Sequence, residues 1–295
     1  MSEIRDLHDG SKATKASKTA GLFGKEKDLN SLSSVFGFVM VVETSNYLNR
    51  LEANQFSIFT QKFHKSVSKT LRHFGGFTAK QNNNSYLVLF KTATNAVLCA
   101  LKIQANFKYV TPKIDAEKRS LKIGISASQT DTEDQPSIED AVTDASRMCE
   151  LVANQLVISS TVKKRYESEN RNARIDQELI RTLKPWEESF ITSLMEGSEE
   201  LCSKPDFNVG TLSSELELGR AQLYRRLIKL SRKSPNTFIR EFKLRRALGL
   251  LRRRRSSTIS QIARESGFRN AGYFSKCFMD QFGILPSKYI QQHTY

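Results

Sequence analysis

The sequence predicts two folded regions of different class: an α/β domain, then an all-α domain built from two helix-turn-helix units. Three observations carry this. Between Val35 and Tyr166 apolar runs alternate with amphipathic stretches in a βαββαβ succession. Beyond Trp186 every periodic segment has helical spacing. The positive charge is concentrated in that second region, where residues 205–295 carry 18 Lys and Arg against 6 Asp and Glu, a balance of +12. The other 204 residues carry 28 against 25, or +3.

The elements follow in order. "FGFVMVVE" is a continuous apolar run of strand length. Asn46 to Phe74 has helical periodicity, with Leu48, Leu51, Phe56, Phe59, Phe63, Val67 and Leu71 on its inner face, and Gly75–Gly76 stop it. "FTAKQ" and "SYLVLF" flank the turn residues "NNN" and read as a hairpin. Helices over Ala93–Phe107 and Glu139–Val152 enclose the strand "LKIGISAS"; "QLVIS" is a last strand, followed by a short helix through Tyr166. The division expected is a flexible polar tail at 1–30, an α/β domain at 31–168, a linker at 169–186 ("ESENRNARIDQE" is its polar part), and a helical domain at 187–295.

Composition narrows the classes. No apolar run approaches the 18 or so residues of a membrane span, and the N-terminus has no secretory hydrophobic stretch. Cys99, Cys149, Cys202 and Cys277 show neither pairing nor ligand spacing, so they are expected to be reduced core thiols of a cytoplasmic protein. The four histidines have no metal spacing, and no cofactor is implied. A basic excess confined to one region points to a polyanion partner, with a solvated basic surface as the bland alternative.

That basic region repeats itself. "TLSSELELGRAQLYRRLIKLSRKSP" and "TISQIARESGFRNAGYFSKCFMDQFG" each read as two short helices around a tight turn. An offset of 51 residues places Leu223 on Phe274, Leu227 on Phe278 and Arg225 on Lys276. Leu212, Leu216, Leu223 and Leu227 form one small core; Ile259, Ile262, Ala263, Phe268, Phe274 and Phe278 form the other. The second helices keep a polar face, with Arg220, Gln222, Arg225 and Arg226 in one and Asn270, Tyr273, Ser275 and Lys276 in the other. A helix of that width fits a DNA major groove, where Arg and Gln bond base edges. The helix "TFIREFKLRRALGLLRRRR" between the units would set them about 34 Å apart, one turn of duplex. Arg252 to Arg255, with Arg252 and Arg253 foremost, read as phosphate contacts or as a solvated charge cluster.

With "LYRRL", "ISQIARESGFRNAGYFSKCF" and "FGILPSKY", this segment resembles the DNA-binding domain of the AraC family of bacterial transcription regulators. The resemblance spans about 90 residues and implies a seven-helix domain in two adjacent major grooves. It places DNA contacts on Arg220, Ala221, Gln222, Tyr224 and Arg225, then on Asn270, Gly272, Tyr273 and Lys276. Gly219 stands where the family usually has a Ser helix cap.

The α/β region, with "GGFTAKQNNNSYLVLF", "LKIGIS" and "VTDASRM" in sequence, resembles the class III nucleotide cyclase domain, a ferredoxin-like sandwich. That family holds two metal ions on two aspartates, whose positions fall here on Glu43 and Asn84. Asn84 is neutral, so the metal site is degenerate, and the family's ribose-orienting Asn becomes Thr143. Gly-Phe after the first aspartate becomes Asn46 and Tyr47. Lys80 matches the purine contact and Arg147 the transition-state arginine; the alternatives are an exposed strand residue and a helix-surface ion-pair partner.

The function expected is a sequence-specific regulator of transcription in the bacterial nucleoid, binding double-stranded DNA as a homodimer. Its cyclase-like domain is expected to be a non-catalytic sensor, with a purine nucleotide as effector. An active nucleotide cyclase coupled to a DNA-binding tail, and a purely dimerising α/β module, are the competing readings.

Overall fold

The computed structural model describes residues 35–44, 53–110, 120–128, 137–171, 173–202, 204, 206–253 and 257–292. The polar tail at 1–30, Leu48, Leu51, Asn46, Tyr47, Arg254 and Arg255 lie outside them.

The first region runs β1 (Phe38–Thr44), α1 (Ala53–His73), β2 (Phe77–Gln81), β3 (Ser85–Phe90), α2 (Ala93–Val110), β4 (Leu121–Ala127), α3 (Ile138–Leu151), β5 (Leu156–Ile158), α4 (Ser160–Glu169) and β6 (Arg181–Thr182). These strands form one sheet in the order β2-β3-β1-β4-β5-β6. β1 pairs antiparallel with β3 and β4, β2 with β3, while β5 and β6 add parallel pairings at the far edge.

Strand alternation divides the core into two layers. Met40, Val42, Tyr86, Val88, Leu121 and Ile123 face Phe59, Phe63, Val67 and Leu71 of α1 and the apolar side of α2. Val39, Val41, Leu87 and Leu89 face α3 instead. The helix crosses the sheet closely at Gly124, where a Cβ would lie 2.3 Å from the Ala145 carbonyl oxygen. No larger residue could stand there with α3 in place.

The second region is helical: α5 (Pro185–Leu201), α6 (Val209–Glu215), α7 (Arg220–Ser231), α8 (Pro235–Arg253), α9 (Ile259–Glu265), α10 (Ala271–Phe282) and α11 (Pro286–Gln292). The stretch expected as a linker at 169–186 is built differently. Ile175 and Ile180 are buried in the α/β core, β6 extends the sheet, and Leu183 enters the next core. Its polar residues hid three apolar anchors spaced too widely to register as a periodic element.

That next core crosses the expected boundary. Met148, Leu151 and Val152 of the α3 end and Val157 of β5 pack in one cluster with Phe190, Leu194, Leu212, Leu223, Leu227 and Phe238. A separate cluster built from Leu244, Leu248, Ile262, Phe268, Phe274, Phe278 and Tyr289 holds the C-terminal end.

Candidate nucleic-acid interface

The two helix-turn-helix units can be laid over one another cap by cap. α6 starts on Asn208, whose side chain accepts from the amides of Gly210 and Thr211; α9 starts on Thr258, which accepts from Gln261. These starts are 50 residues apart. The second helices, α7 and α10, each have 12 residues and start on Gly219 and Asn270, 51 apart. The second turn is therefore one residue longer. In both turns an amide returns to the first helix, Leu218 to the Ser213 carbonyl and Phe268 to the Ala263 carbonyl, each at 2.9 Å. The left-handed residue between them is Glu217 (φ 52°) in one and Gly267 (φ 79°) in the other. A Cβ at Gly267 would come within 2.8 Å of the Cys202 carbonyl oxygen, so that turn needs glycine twice over.

Each second helix buries one face and opens the other. Leu223, Leu227 and Leu230 anchor α7, leaving Arg220, Ala221, Gln222, Tyr224 and Arg225 exposed. Phe274, Cys277 and Phe278 anchor α10, leaving Asn270, Gly272, Tyr273 and Lys276 exposed. Tyr224 and Tyr273 are 51% and 56% exposed, each next in the chain to a fully buried residue, Leu223 and Phe274. Asn270 also caps its helix, accepting from the Tyr273 amide at 2.9 Å.

Two residues expected on these faces are otherwise engaged. Arg226 lies 5.7 Å from the Trp186 ring and 5.3 Å from the Phe190 ring, clamped on α5. Ser275 turns back to the Ala271 carbonyl of its own helix, at 2.9 Å. At the α8 end, the exposed Arg252 donates to the Tyr289 hydroxyl (3.1 Å) and Arg253 to the Gly249 carbonyl (3.4 Å). Sequence reasoning missed Arg240 of α8, which stands by the Tyr273 hydroxyl. The Tyr273 pKa is raised, mainly by a hydrogen bond with Cys277, and the Arg240 charge opposes the rise. Nothing in the local spacing links Arg240 to Tyr273, because they are neighbours only in the fold.

The cyclase-like positions lie at one end of the sheet. Glu43 is half-buried, set between Ser85 and Lys122 on the adjoining strands. Burial pushes its carboxyl up to about 7; the Glu150 charge adds to this and Arg245 opposes it. Asn84 joins the hairpin turn to the end of β1: its side chain donates to the Thr44 carbonyl (3.1 Å) and its carbonyl accepts the Thr44 amide (2.9 Å). Lys80 is half-buried on the edge strand β2, opposite Leu87. Arg147 pairs with Glu196 of α5 at 3.4 Å, and Thr143 bonds the Glu139 carbonyl of its own helix. Among the described residues, no three His, Cys, Asp or Glu side chains gather into a metal-binding group. No described helix is long and apolar enough to cross a membrane.

Residues 212–292 match the family model described as a helix-turn-helix domain. Among curated proteins the chain is similar to histidine kinase P4 of Formosa agariphila, at 32% identity over 113 residues. That match covers 38% of this chain and 8% of the kinase. It is also similar to the HTH-type transcriptional regulator MtrA of Neisseria gonorrhoeae, at 27% identity over 119 residues, covering 40% of this chain and 38% of that protein. The chain thus spans well under half the length of either relative. Among solved structures, a bacterial light-regulated adenylyl cyclase aligns with 44% of each chain at 18% identity and a TM-score of 0.37.

Proposed function

We propose that this chain is a sequence-specific DNA-binding regulator of transcription. The observation that carries the reading is the pair of twelve-residue helices α7 and α10, each rooted by one buried face and presenting exposed polar and cationic side chains on the other. In this reading Arg220, Ala221, Gln222, Tyr224 and Arg225 meet one major groove, and Asn270, Gly272, Tyr273 and Lys276 meet the next. Arg252 and Arg253 meet the phosphate backbone. The +12 balance of residues 205–295 supplies the attraction to the duplex.

The α/β region is read as a ferredoxin-like, cyclase-like module that senses or assembles and does not turn over nucleotide. The antiparallel order β2-β3-β1-β4 supports the outline. The Asn84 amide is spent on Thr44, and Arg147 on Glu196, which supports the loss of turnover. A homodimer, and a purine nucleotide as effector near Lys80, complete the proposal.

Binding titrations of the full chain on duplex DNA at increasing salt test the main reading. The expected result is a steep loss of affinity with salt, as several phosphate contacts require; a flat response would remove the backbone-dominated part. Incubation with ATP or GTP and Mg²⁺ or Mn²⁺ is expected to yield no cyclic nucleotide. Turnover abolished by Glu43→Ala would replace this reading with an enzyme.

A further inference from the structure

Three independent contacts tie the α/β region to the first reading unit and to the α8 helix that follows it. The Ala153 amide, in the loop after α3, donates to the Leu230 carbonyl at the end of α7, at 3.0 Å. Arg245 of α8 forms an ion pair with Glu150 of α3, both side chains about two-thirds buried. The apolar cluster of Leu151, Val157, Leu223 and Leu227 runs unbroken beneath them. The α3 end is itself fixed: the Lys122 ammonium donates to the carbonyls of Val152 (2.7 Å), Ala153 (2.9 Å) and Asn154 (3.3 Å), where a helix C-terminus favours a cation.

α8 is the element that transmits this. It carries Arg245 toward α3, while its Lys243 donates to the Phe207 carbonyl (2.9 Å) and its Arg246 to the Glu265 carbonyl of α9 (3.2 Å). One helix therefore touches the α/β region, the first unit and the second unit. The reading faces of α7 and α10 stay exposed with all these contacts made.

We propose that the sheet end around Glu43 and Glu150 is a docking platform for this chain's own α7 and α8, latched by Arg245, and that the latched arrangement is the one that binds DNA. The α/β region then acts as a brace: it holds α8, and through it the relative orientation of the two readers. This goes beyond the assignment of reading residues, and it rests on the DNA-binding reading for its consequence though not for its geometry. The opposite device, an autoinhibitory dock, would cover a reading face. Neither face is covered.

The test uses the full chain and the duplex enriched by that chain from a random pool. Glu150→Arg sets two cations against each other at the latch while adding positive charge. Electrostatics alone, or release from autoinhibition, would strengthen DNA binding. The brace instead predicts affinity weaker by about five- to tenfold, the scale of breaking a partly exposed ion pair and setting two like charges in its place. The charge swap Glu150→Arg with Arg245→Glu is expected to return affinity to within about threefold of the original, since the pair is re-formed. Tighter or unchanged binding by Glu150→Arg overturns the proposal, as does a swap that restores nothing. Hydrogen exchange supplies a readout free of DNA: amides of α7 and α8 should exchange faster in Glu150→Arg and recover in the swap, with α10 unaltered. If no duplex were enriched at all, the DNA reading would fall; the exchange pattern would still support the brace, and unchanged exchange would overturn it.

Discussion

The first helix-turn-helix unit is built from leucines and borrows its foundation, whereas the second is built from aromatic rings and supplies its own. Leu212, Leu223 and Leu227 share a cluster with α3 and β5 of the α/β region. Phe268, Phe274, Phe278 and Tyr289 meet ring to ring in tilted and edge-to-face contacts, at centroid distances of 5.2 Å, 5.7 Å and 6.2 Å along the series, in a core with no α/β member among the described residues. The caps differ in the same direction. α10 begins on an Asn side-chain cap and ends on a left-handed glycine, while α7 begins on an uncapped glycine and ends on a left-handed arginine, Arg232 (φ 57°). A left-handed arginine costs about 1–2 kcal/mol that a glycine would not. The better-closed unit is the one that stands alone. The lesson is that one motif solves its boundary in two ways: by local closure, or by docking.

The largest expected effect separates them directly. Phe274→Ala should cost about 3–5 kcal/mol and Leu223→Ala about 2–5 kcal/mol, both being fully buried. Their reach should differ. Hydrogen exchange after Phe274→Ala should rise only within α8 to α11, whereas Leu223→Ala should also loosen the α3 end and β5. Equal spread from both sites would break the distinction between a borrowed core and an independent one.

The next effect concerns reading. Arg225→Ala and Lys276→Ala should each weaken binding by about 1–3 kcal/mol if the lost contact is to a base. Because they lie on different units, footprints should shrink at opposite ends of the site. Uniform weakening across the footprint would mean that both side chains contact phosphates and carry no sequence information.

Much of this was legible in the residues. β1, β3, β4 and β5 followed from apolar runs, β2 from the turn residues beside it, and the repeat of the two units from the 51-residue offset of their second helices. The exposed faces of α7 and α10 followed from 3.6-residue periodicity, because burial there is decided within one helix. What was not legible depends on contacts between distant segments. The anchors Ile175, Ile180 and Leu183 look like isolated residues in a polar stretch, and only the sheet edge gives them a purpose. Arg226 has the charge and spacing of a groove contact, yet two rings on α5 claim it. The pairing of Glu150 with Arg245 joins residues 95 positions apart and leaves no trace in local pattern.

The joint beneath the first unit is also expected to respond to pH. Burial first, and the Glu150 charge second, raise the Glu43 carboxyl to about 7 from an ordinary 4.5. A carboxyl raised in the folded state contributes stability below about pH 4.5 and loses it as pH climbs to about 7. Glu43→Gln removes that dependence, so the variant should gain on the parent across this window, by on the order of 2 kcal/mol at pH 8. The full displacement would give more, but the side chain is partly open to solvent. Urea unfolding at pH 5 and pH 8 measures it. A constant difference between the two proteins would show that the Glu43 charge is not what limits the joint.

The smallest expected effect tests whether the caps themselves mark the difference between units. Gly219 has φ −63° and ψ 145°, the extended geometry of an ordinary N-cap, and an added Cβ would meet nothing within 4 Å. A serine there needs no backbone strain, and its hydroxyl could accept from the Gln222 amide, which now turns to the Gly219 carbonyl at 2.9 Å. Gly219→Ser should therefore stabilise the start of α7 by a few tenths of a kcal/mol, the usual margin between serine and glycine at this position. Asn270→Gly should cost α10 a similar amount, since it deletes a cap bond already made. Exchange rates of the first-turn amides resolve changes of that size where global unfolding does not. Opposite shifts in the two helices would show that local closure is an interchangeable part, missing from the docked unit because docking replaces it. No shift in α7 would mean that the packing of Leu223 and Leu227 against the α/β region, and not the cap, already sets where that helix begins.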